Sequence, residues 1–252
     1  MNSRSPANLA VVSEQHCQHN FQVTCSGCRL SRICLPIALE AADIEKLDSI
    51  IQRGRPLQKG EYLFRQNDVF RSVYAVRSGS LKSYSTASCG TEQVTAFYLP
   101  GEILGMDGIG AGKHLSSAIA LETAAVCEMP FELLGELSTR VPKLQRHFFQ
   151  LMSQEIAADQ QLIAMLSKNS ADQRVAALLI NLSARNFHRK LSATLFRLPM
   201  SRAEMGNYLG LTVETMSRVF GRLQKSGIIK TDGREVEILS PDLLRDTAAG
   251  SI

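Results

Sequence analysis

Between Ser201 and Ile238 the chain carries a pattern that few folds can accommodate. Ser201-Arg202-Ala203-Glu204 has the spacing of a capping box, in which a hydroxyl and a carboxylate satisfy backbone N–H groups at a helix start. A short helix follows through Tyr208 and Leu209, and Gly210-Leu211 breaks it. Thr212 then caps a second helix running from Val213 to about Lys225. Ile228-Ile229-Lys230 and Val236-Glu237-Ile238 flank Asp232-Gly233, a strong hairpin signal. Helix, glycine turn, helix and hairpin together predict a winged helix-turn-helix.

The second helix is the element suited to reading bases. Such a helix enters the major groove with its N-terminal residues toward base edges. Glu214, Ser217 and Arg218 stand at i, i+3 and i+4 and share a face. Arginine can fork onto guanine O6 and N7, glutamate can accept from cytosine N4, and serine serves either base. Arg202, Arg222 and Lys225 are placed for phosphates, which set register without reading sequence. The plainer reading is a solvated helix with an ordinary i,i+4 Glu–Arg pair. The turn, the wing and the local charge weigh against it. Residues 170–245 hold 12 Lys and Arg against 7 Asp and Glu, whereas the rest of the 252-residue chain holds 16 against 17. The basic excess thus belongs to the C-terminal third, as a nucleic-acid face requires.

Upstream, from Leu57 to Met129, the texture changes. Lys59-Gly60, Asn67-Asp68, Ser78-Gly79, Cys89-Gly90 and Pro100-Gly101 separate short apolar stretches, which predicts an antiparallel β-roll or barrel. Strands are expected over 72–77, 81–85 and 93–99, with one or two more within 118–129. A helix is expected over 40–51, with Ile44, Leu47 and Ile51 on one face. The fold class is therefore α+β.

Pro142 to Lys168 contains neither Gly nor an internal Pro. Phe149, Met152, Ile156, Asp159, Ile163 and Leu166 recur at steps of 3, 4, 3, 4 and 3, a seam for pairing with another helix. A helix laid on its own domain is the alternative. In a symmetric pair two copies of Asp159 would face each other and repel. The seam is weakened at that point, so pairing along it can answer to a switch.

Cys25, Cys28 and Cys34 form C-x2-C-x5-C. A chain of this size needs no disulfide scaffold. Three clustered thiols suit a soft-metal clamp short of one ligand. Structural zinc and a C-x-x-C redox pair are competing uses of such thiols. No strand–CxxC–helix context and no Ser/His/Asp or paired-carboxylate arrangement supports an enzyme. Cys17 and Cys89 are read as bystanders, and His16 and His19 as solvated. The first twenty residues are polar without an apolar h-region, and no run of about eighteen apolar residues occurs, so a cytoplasmic chain without a membrane span is expected.

Taken together, Gly206-Asn207-Tyr208-Leu209-Gly210-Leu211-Thr212-Val213-Glu214-Thr215-Met216-Ser217-Arg218 closely resembles the recognition motif of FNR/ANR-type oxygen-sensing regulators of the CRP/FNR family. Cys25, Cys28 and Cys34 match that family's N-terminal cysteine cluster. The segment from Leu121-Glu122-Thr123 through Val126-Cys127-Glu128 matches the one holding the fourth ligand. The resemblance runs from about Cys25 to Leu239. It implies a [4Fe–4S] cluster on Cys25, Cys28, Cys34 and Cys127, converted by oxygen to a [2Fe–2S] form with loss of the dimer. It implies a roll like that of cyclic-nucleotide-binding proteins and a homodimer that binds double-stranded DNA at a palindrome resembling TTGAT-N4-ATCAA. It further implies base readout by Glu214, Ser217 and Arg218, with Val213 near a thymine methyl. Asp159 and Ile156 match positions in the family's monomer–dimer helix.

The organisation that follows is a flexible lead and cysteine-rich iron–sulfur segment over 1–36, the roll over 37–140, the dimerisation helix over 141–168 and the winged domain over 169–252. Activation implies RNA polymerase as a partner. The turn from Ser85 to Thr91 matches an activating loop, but carries Ala87, Ser88, Cys89 and Thr91 where relatives commonly have charged or amide side chains. No cyclic nucleotide is expected, because a buried phosphate needs a cationic partner and no arginine lies between Ser85 and Thr139. Arg29, next to Cys28, adds positive charge near the cysteines.

Overall fold

The computed structural model describes residues 24–251. The expectations for Cys17, His16, His19 and the lead fall outside these residues. A run of turns holds Cys25 and Cys28, and Leu35–Ala38 forms a short 3-10 turn directly after Cys34. Helix α1 (Ala41–Ile50) follows, one residue shorter at each end than expected.

Seven strands make the roll: β1 (Tyr62–Phe64), β2 (Ser72–Ser78), β3 (Leu81–Thr86), β4 (Glu92–Tyr98), β5 (Ile103–Leu104), β6 (Ser117–Ala120) and β7 (Ala125–Pro130). They pair antiparallel in two sheets, ordered β1-β6-β3-β4 and β5-β2-β7. The stretch 118–129 supplies two strands broken at Leu121 to Ala124. The short β1 and β5 have too few residues to show an alternating pattern in sequence. Val76, Leu81, Leu104, Ala118 and Ala120 fill the space between the sheets.

A second core lies under the helices. Leu35, Leu47, Val73, Met129, Leu134 and Leu144 pack where α1, α2 (Phe131–Arg140) and the first turns of α3 (Pro142–Lys168) cover the β5-β2-β7 sheet. Fully burying a side chain of this kind contributes about 1.5–3 kcal/mol. Pro142 suits the start of α3 because its missing N–H would have no partner there. Leu144 and Phe148 tie the helix to the roll. Farther along, Phe149, Ile156 and Ile163 are 59%, 57% and 64% exposed. A helix wholly laid on its own domain would cover them, so a bare apolar stripe remains.

The C-terminal third forms its own layer: α4 (Ala171–His188), β8 (Leu195–Arg197), α5 (Arg202–Leu209), α6 (Val213–Lys225), β9 (Ile229–Asp232), β10 (Glu235–Ile238) and α7 (Pro241–Ala249). The wing is three-stranded, ordered β8-β10-β9, because Leu195–Arg197 adds an edge the hairpin signal did not reveal. Ser170 and Gln173 cap α4 reciprocally.

Two sets of polar contacts fix this layer. Arg174 gathers three carbonyls around the α3–α4 junction, donating to Asn169, Leu166 and Leu209 at 2.9, 2.8 and 3.0 Å. Asn207 on α5 clasps β4: its Oδ1 accepts from the Val94 N–H at 2.5 Å, its Nδ2 donates to the Glu92 carbonyl at 2.8 Å, and its own carbonyl accepts from Gln93 at 2.6 Å. Arg185 on α4 pairs with Glu102 and donates to the Phe97 carbonyl.

Candidate metal centre and nucleic-acid interface

Cys25, Cys28, Cys34 and Cys127 all line one small cavity of about 30 Å³, walled by Leu35 and Leu47. The first three come from the turns and the fourth from β7, where Cys127 is paired with Ala75 of β2. Their sulfurs do not converge on one point: among the described residues no group of three or more Cys, His, Asp or Glu could hold a single metal ion. The donor set is all thiol, which suits an iron–sulfur cluster with one thiolate for each iron. Burial pushes the thiols of Cys25 and Cys34 up to about 12, with Asp48 adding to the effect at Cys25. Burial also raises Cys127, against the opposing charges of Arg53 and Arg77. Ligation by these thiols would release protons.

A clasp that the sequence did not signal supports this segment. Asp48 on α1 accepts the Cys25 backbone N–H at 2.8 Å and pairs with Arg53. Arg53 in turn points an N–H at the Cys25 sulfur, 3.8 Å away. Although burial opposes it, the Cys25 N–H and Arg53 hold the Asp48 carboxyl below its usual range. Arg29, by contrast, is exposed and does not line the cavity. The positive charge near the thiols comes from Arg53 and Arg77, which only tertiary packing brings there.

The cysteine segment also reaches α3. Ile33 shares a cleft with Leu151, Gln154 and Ala158. It sits over Gly101, where a Cβ would come within 2.7 Å of the Ile33 Cδ1. Leu35 packs in the same core as Phe148, with Cys34, Cys127 and Met152 at its margin. Asp159 is exposed on this helix, and partial burial by its neighbours pushes its carboxyl up. Burial, and then Asp159, push Glu155 up as well. Tyr98 donates to Glu155 at 3.2 Å.

A cavity of about 400 Å³ lies between the roll and α3. Asp107, Glu155 and Asp159 contribute to its lining, and no Lys, Arg or His does. His114 turns inward instead, 2% exposed, stacked on Phe64 at 3.7 Å and facing Asp107 at 3.2 Å.

At the other end α5 and α6 meet as a helix-turn-helix. Gly210 adopts φ 63° and ψ 37°, the left-handed conformation that lets the chain reverse, and the Leu211 N–H closes onto the Gly206 carbonyl at 2.8 Å. Thr212 caps α6 by accepting from the Thr215 N–H at 3.2 Å. Buried Met216, Val219, Phe220 and Leu223 form the inner face of α6. Val213, Glu214, Ser217 and Arg218 are exposed on the outer face. Arg218 rests on Thr215 at 3.1 Å rather than on Glu214.

Two of the expected phosphate contacts are engaged elsewhere. Arg202 lies half-buried with its guanidinium 3.1 Å above the Phe220 ring, and burial brings it down to about 10. Arg222 forks onto Asp172 of α4 at 2.9 and 2.6 Å, bracing α6 against α4. Both interactions join residues distant in sequence, which helical spacing cannot reveal. Lys225 remains exposed.

Gly206 lies where the two helices cross. A Cβ there would come within 2.6 Å of the Leu211 carbonyl oxygen and 3.2 Å of Met216. Gly206→Ala is expected to lower stability by about 1–3 kcal/mol through overpacking, read as a lowered midpoint in thermal or urea unfolding. An unchanged midpoint would mean the crossing can open at no cost.

A roll joined by a long helix to a winged helix-turn-helix defines a class of transcription regulators rather than enzymes. Residues 54–140 match the cyclic nucleotide-binding domain, and residues 173–247 the Crp-like helix-turn-helix domain. The transcriptional activator protein Anr of Pseudomonas protegens is 53% identical over 93% of this chain and 96% of its own length. The fumarate and nitrate reduction regulatory protein of Escherichia coli is 47% identical over 90% of each chain. The structure of FixK2 from Bradyrhizobium japonicum superposes with a TM-score of 0.72 at 27% identity, covering 79% of this chain and 97% of that one. The chain belongs to the CRP/FNR family and is an FNR/ANR-type DNA-binding regulator. Among the described residues no helix is long and apolar enough to cross a membrane.

Proposed function

We propose that this chain is a cytoplasmic, oxygen-responsive transcription factor. A [4Fe–4S] cluster on Cys25, Cys28, Cys34 and Cys127 favours a homodimer along Phe149, Met152, Ile156, Asp159, Ile163 and Leu166. The dimer occupies a palindrome of the TTGAT-N4-ATCAA type and, with RNA polymerase, mostly activates genes used without oxygen. The observation that carries this reading is the cavity onto which all four thiols open. When bound, the cluster supplies an oxygen-labile core that joins its four thiolates.

The chain's own residues do the rest. Cys127 is fixed in a sheet, whereas the other three cysteines sit on turns. Ligation from both sides ties the segment to the roll. Ile33 and Leu35 then keep their seats beside α3. That seating is what tilts the balance against Asp159 repulsion. Three carboxylates and no cation around the cavity beside α3 leave a nucleotide phosphate without a partner. Equilibrium dialysis with cyclic AMP is expected to show no tight binding.

Iron and sulfide analysis with spectra and sedimentation, first air-free and then after exposure, tests the reading. The expected protein is brown, contains iron and sulfide, sediments as a dimer and holds its operator. After air its spectrum changes and it dissociates. A colourless zinc protein indifferent to air would overturn the proposal. So would iron-free material, isolated without air, that still pairs and binds.

Base readout has its own test. Arg218→Ala is expected to weaken specific binding by about 1–3 kcal/mol and to relax preference at one base pair. Equal loss on all sequences would leave Arg218 only a phosphate contact.

A further inference from the structure

A cleft of about 300 Å³ opens where the roll meets the winged domain. Lys59 from the turn before β1, Lys82 from β3, and Ser201, Glu204 and Arg234 from the winged domain contribute to its walls. Three cations therefore face one carboxylate, and that carboxylate is already engaged. Glu204 accepts from Lys82 Nζ at 2.8 Å and from the Ser201 backbone N–H at 2.7 Å. Among the described residues Lys59 and Arg234 take part in no salt bridge. Arg234 donates once, from Nη1 to the Pro199 carbonyl at 2.9 Å, and Lys59 is exposed. Two cations in excess thus border one opening, with the start of α5 beside them. A helix start adds favourable potential for an anion.

The position is as telling as the charge. Arg234 follows Gly233 in the turn of the β9–β10 wing, and Ser201 caps the first helix of the helix-turn-helix. The cleft is therefore flanked by the two elements that precede and follow the recognition helix. Lys59 extends it onto the roll, a domain with no part in reading bases.

We propose that this cleft grips backbone phosphates of DNA lying outside the palindrome, so that the roll holds the flanking duplex while α6 reads the site. The inference rests on α6 being the recognition helix. A free phosphate shares the same chemistry, and the test separates the two sources. Contacts of this kind set affinity and salt dependence without sequence preference.

The experiment compares two duplexes, one ending at the palindrome and one extended by about one helical turn, roughly 34 Å, on each side. Binding of the air-free, cluster-loaded parent is measured over a range of salt. The longer duplex is expected to show the steeper salt dependence. Lys59→Gln with Arg234→Gln removes up to four phosphate contacts per dimer, which at about 0.9 each lowers the log–log slope by roughly 3 to 4 on the long duplex. The short duplex is expected to bind as before. Lys59→Gln alone is expected to give about half the effect, without touching the wing, and Lys59→Arg to restore the parent slope.

Equal parent slopes on the two lengths would overturn the proposal, as would a variant weakened equally on both. Calorimetric binding of inorganic phosphate, lost in the double variant, together with length-independent slopes would make the cleft a small-anion site instead. Failure of the parent to prefer the short palindrome over unrelated DNA would sink the reading of α6, a separate result.

Discussion

Asp159→Ala is expected to sediment as a dimer and to occupy its operator in air, where the parent dissociates. Asp159 lies between Ile156 and Ile163 on the exposed stripe of α3. Two carboxylates about 5 Å apart at an effective dielectric near 20 repel by roughly 3 kcal/mol. Partial burial already pushes the Asp159 carboxyl up in the single chain, and a facing copy would push it further. Replacing it with a methyl removes the repulsion and joins two apolar stretches. The sign with pH follows from the same shift. A carboxyl with a raised pKa disfavours the paired state when ionised, so dimerisation of the parent should strengthen as pH falls through that raised value. Glu155 shares this environment, so the Ala variant should keep only a reduced dependence. Sedimentation in air at several pH values reads both effects. An aerobic monomer in the variant would mean that the seam is held apart by something other than this charge.

Cys127→Ser is expected to do the opposite. It removes the one sulfur that the roll contributes, so the segment carrying Cys25, Cys28 and Cys34 loses its tie to β7. Air-free variant protein should lack the iron and sulfide of the parent. It should bind the operator on the order of a hundredfold more weakly, the size of an allosteric coupling near 3 kcal/mol. Its fold should persist, because the backbone of Cys127 remains paired with Ala75 whatever the side chain. Cys89→Ser provides the contrast. Cys89 is exposed in the β3–β4 turn, hydrogen-bonded only to Thr91 at 3.2 Å, and should keep parental iron and binding. A Cys127→Ser protein with full iron content would remove Cys127 from the ligand set.

Much of this molecule could be read before its structure. The long helix spans Pro142–Lys168 as its sequence predicts, because Pro142 marks the start and no Gly or internal Pro interrupts it. The capping boxes and the left-handed Gly210 obey rules that act within four or five residues. Such local chemistry leaves a local signature. The clasp of Asp48 and Arg53 on Cys25 left none, since it joins a helix, a loop and a turn by packing alone. Arg202 and Arg222 show the same limit from the other side. Their charge suggested phosphate contacts, while their surroundings offered Phe220 and Asp172 first. Strands as brief as β5 and β8 exist because partners are already in place beside them, which no reading of two or three residues can anticipate.

The three carbonyls gathered by Arg174 have a mechanical consequence. They leave the joint between Leu166 and Leu209 no slack, and Asn207 pins the far side of the same unit to β4. Each reading head must then travel with its barrel as one rigid piece. Inserting half a helical turn of DNA between the two halves of an operator would carry one half-site to the opposite side of the duplex. A head that cannot swivel has no way to follow it there.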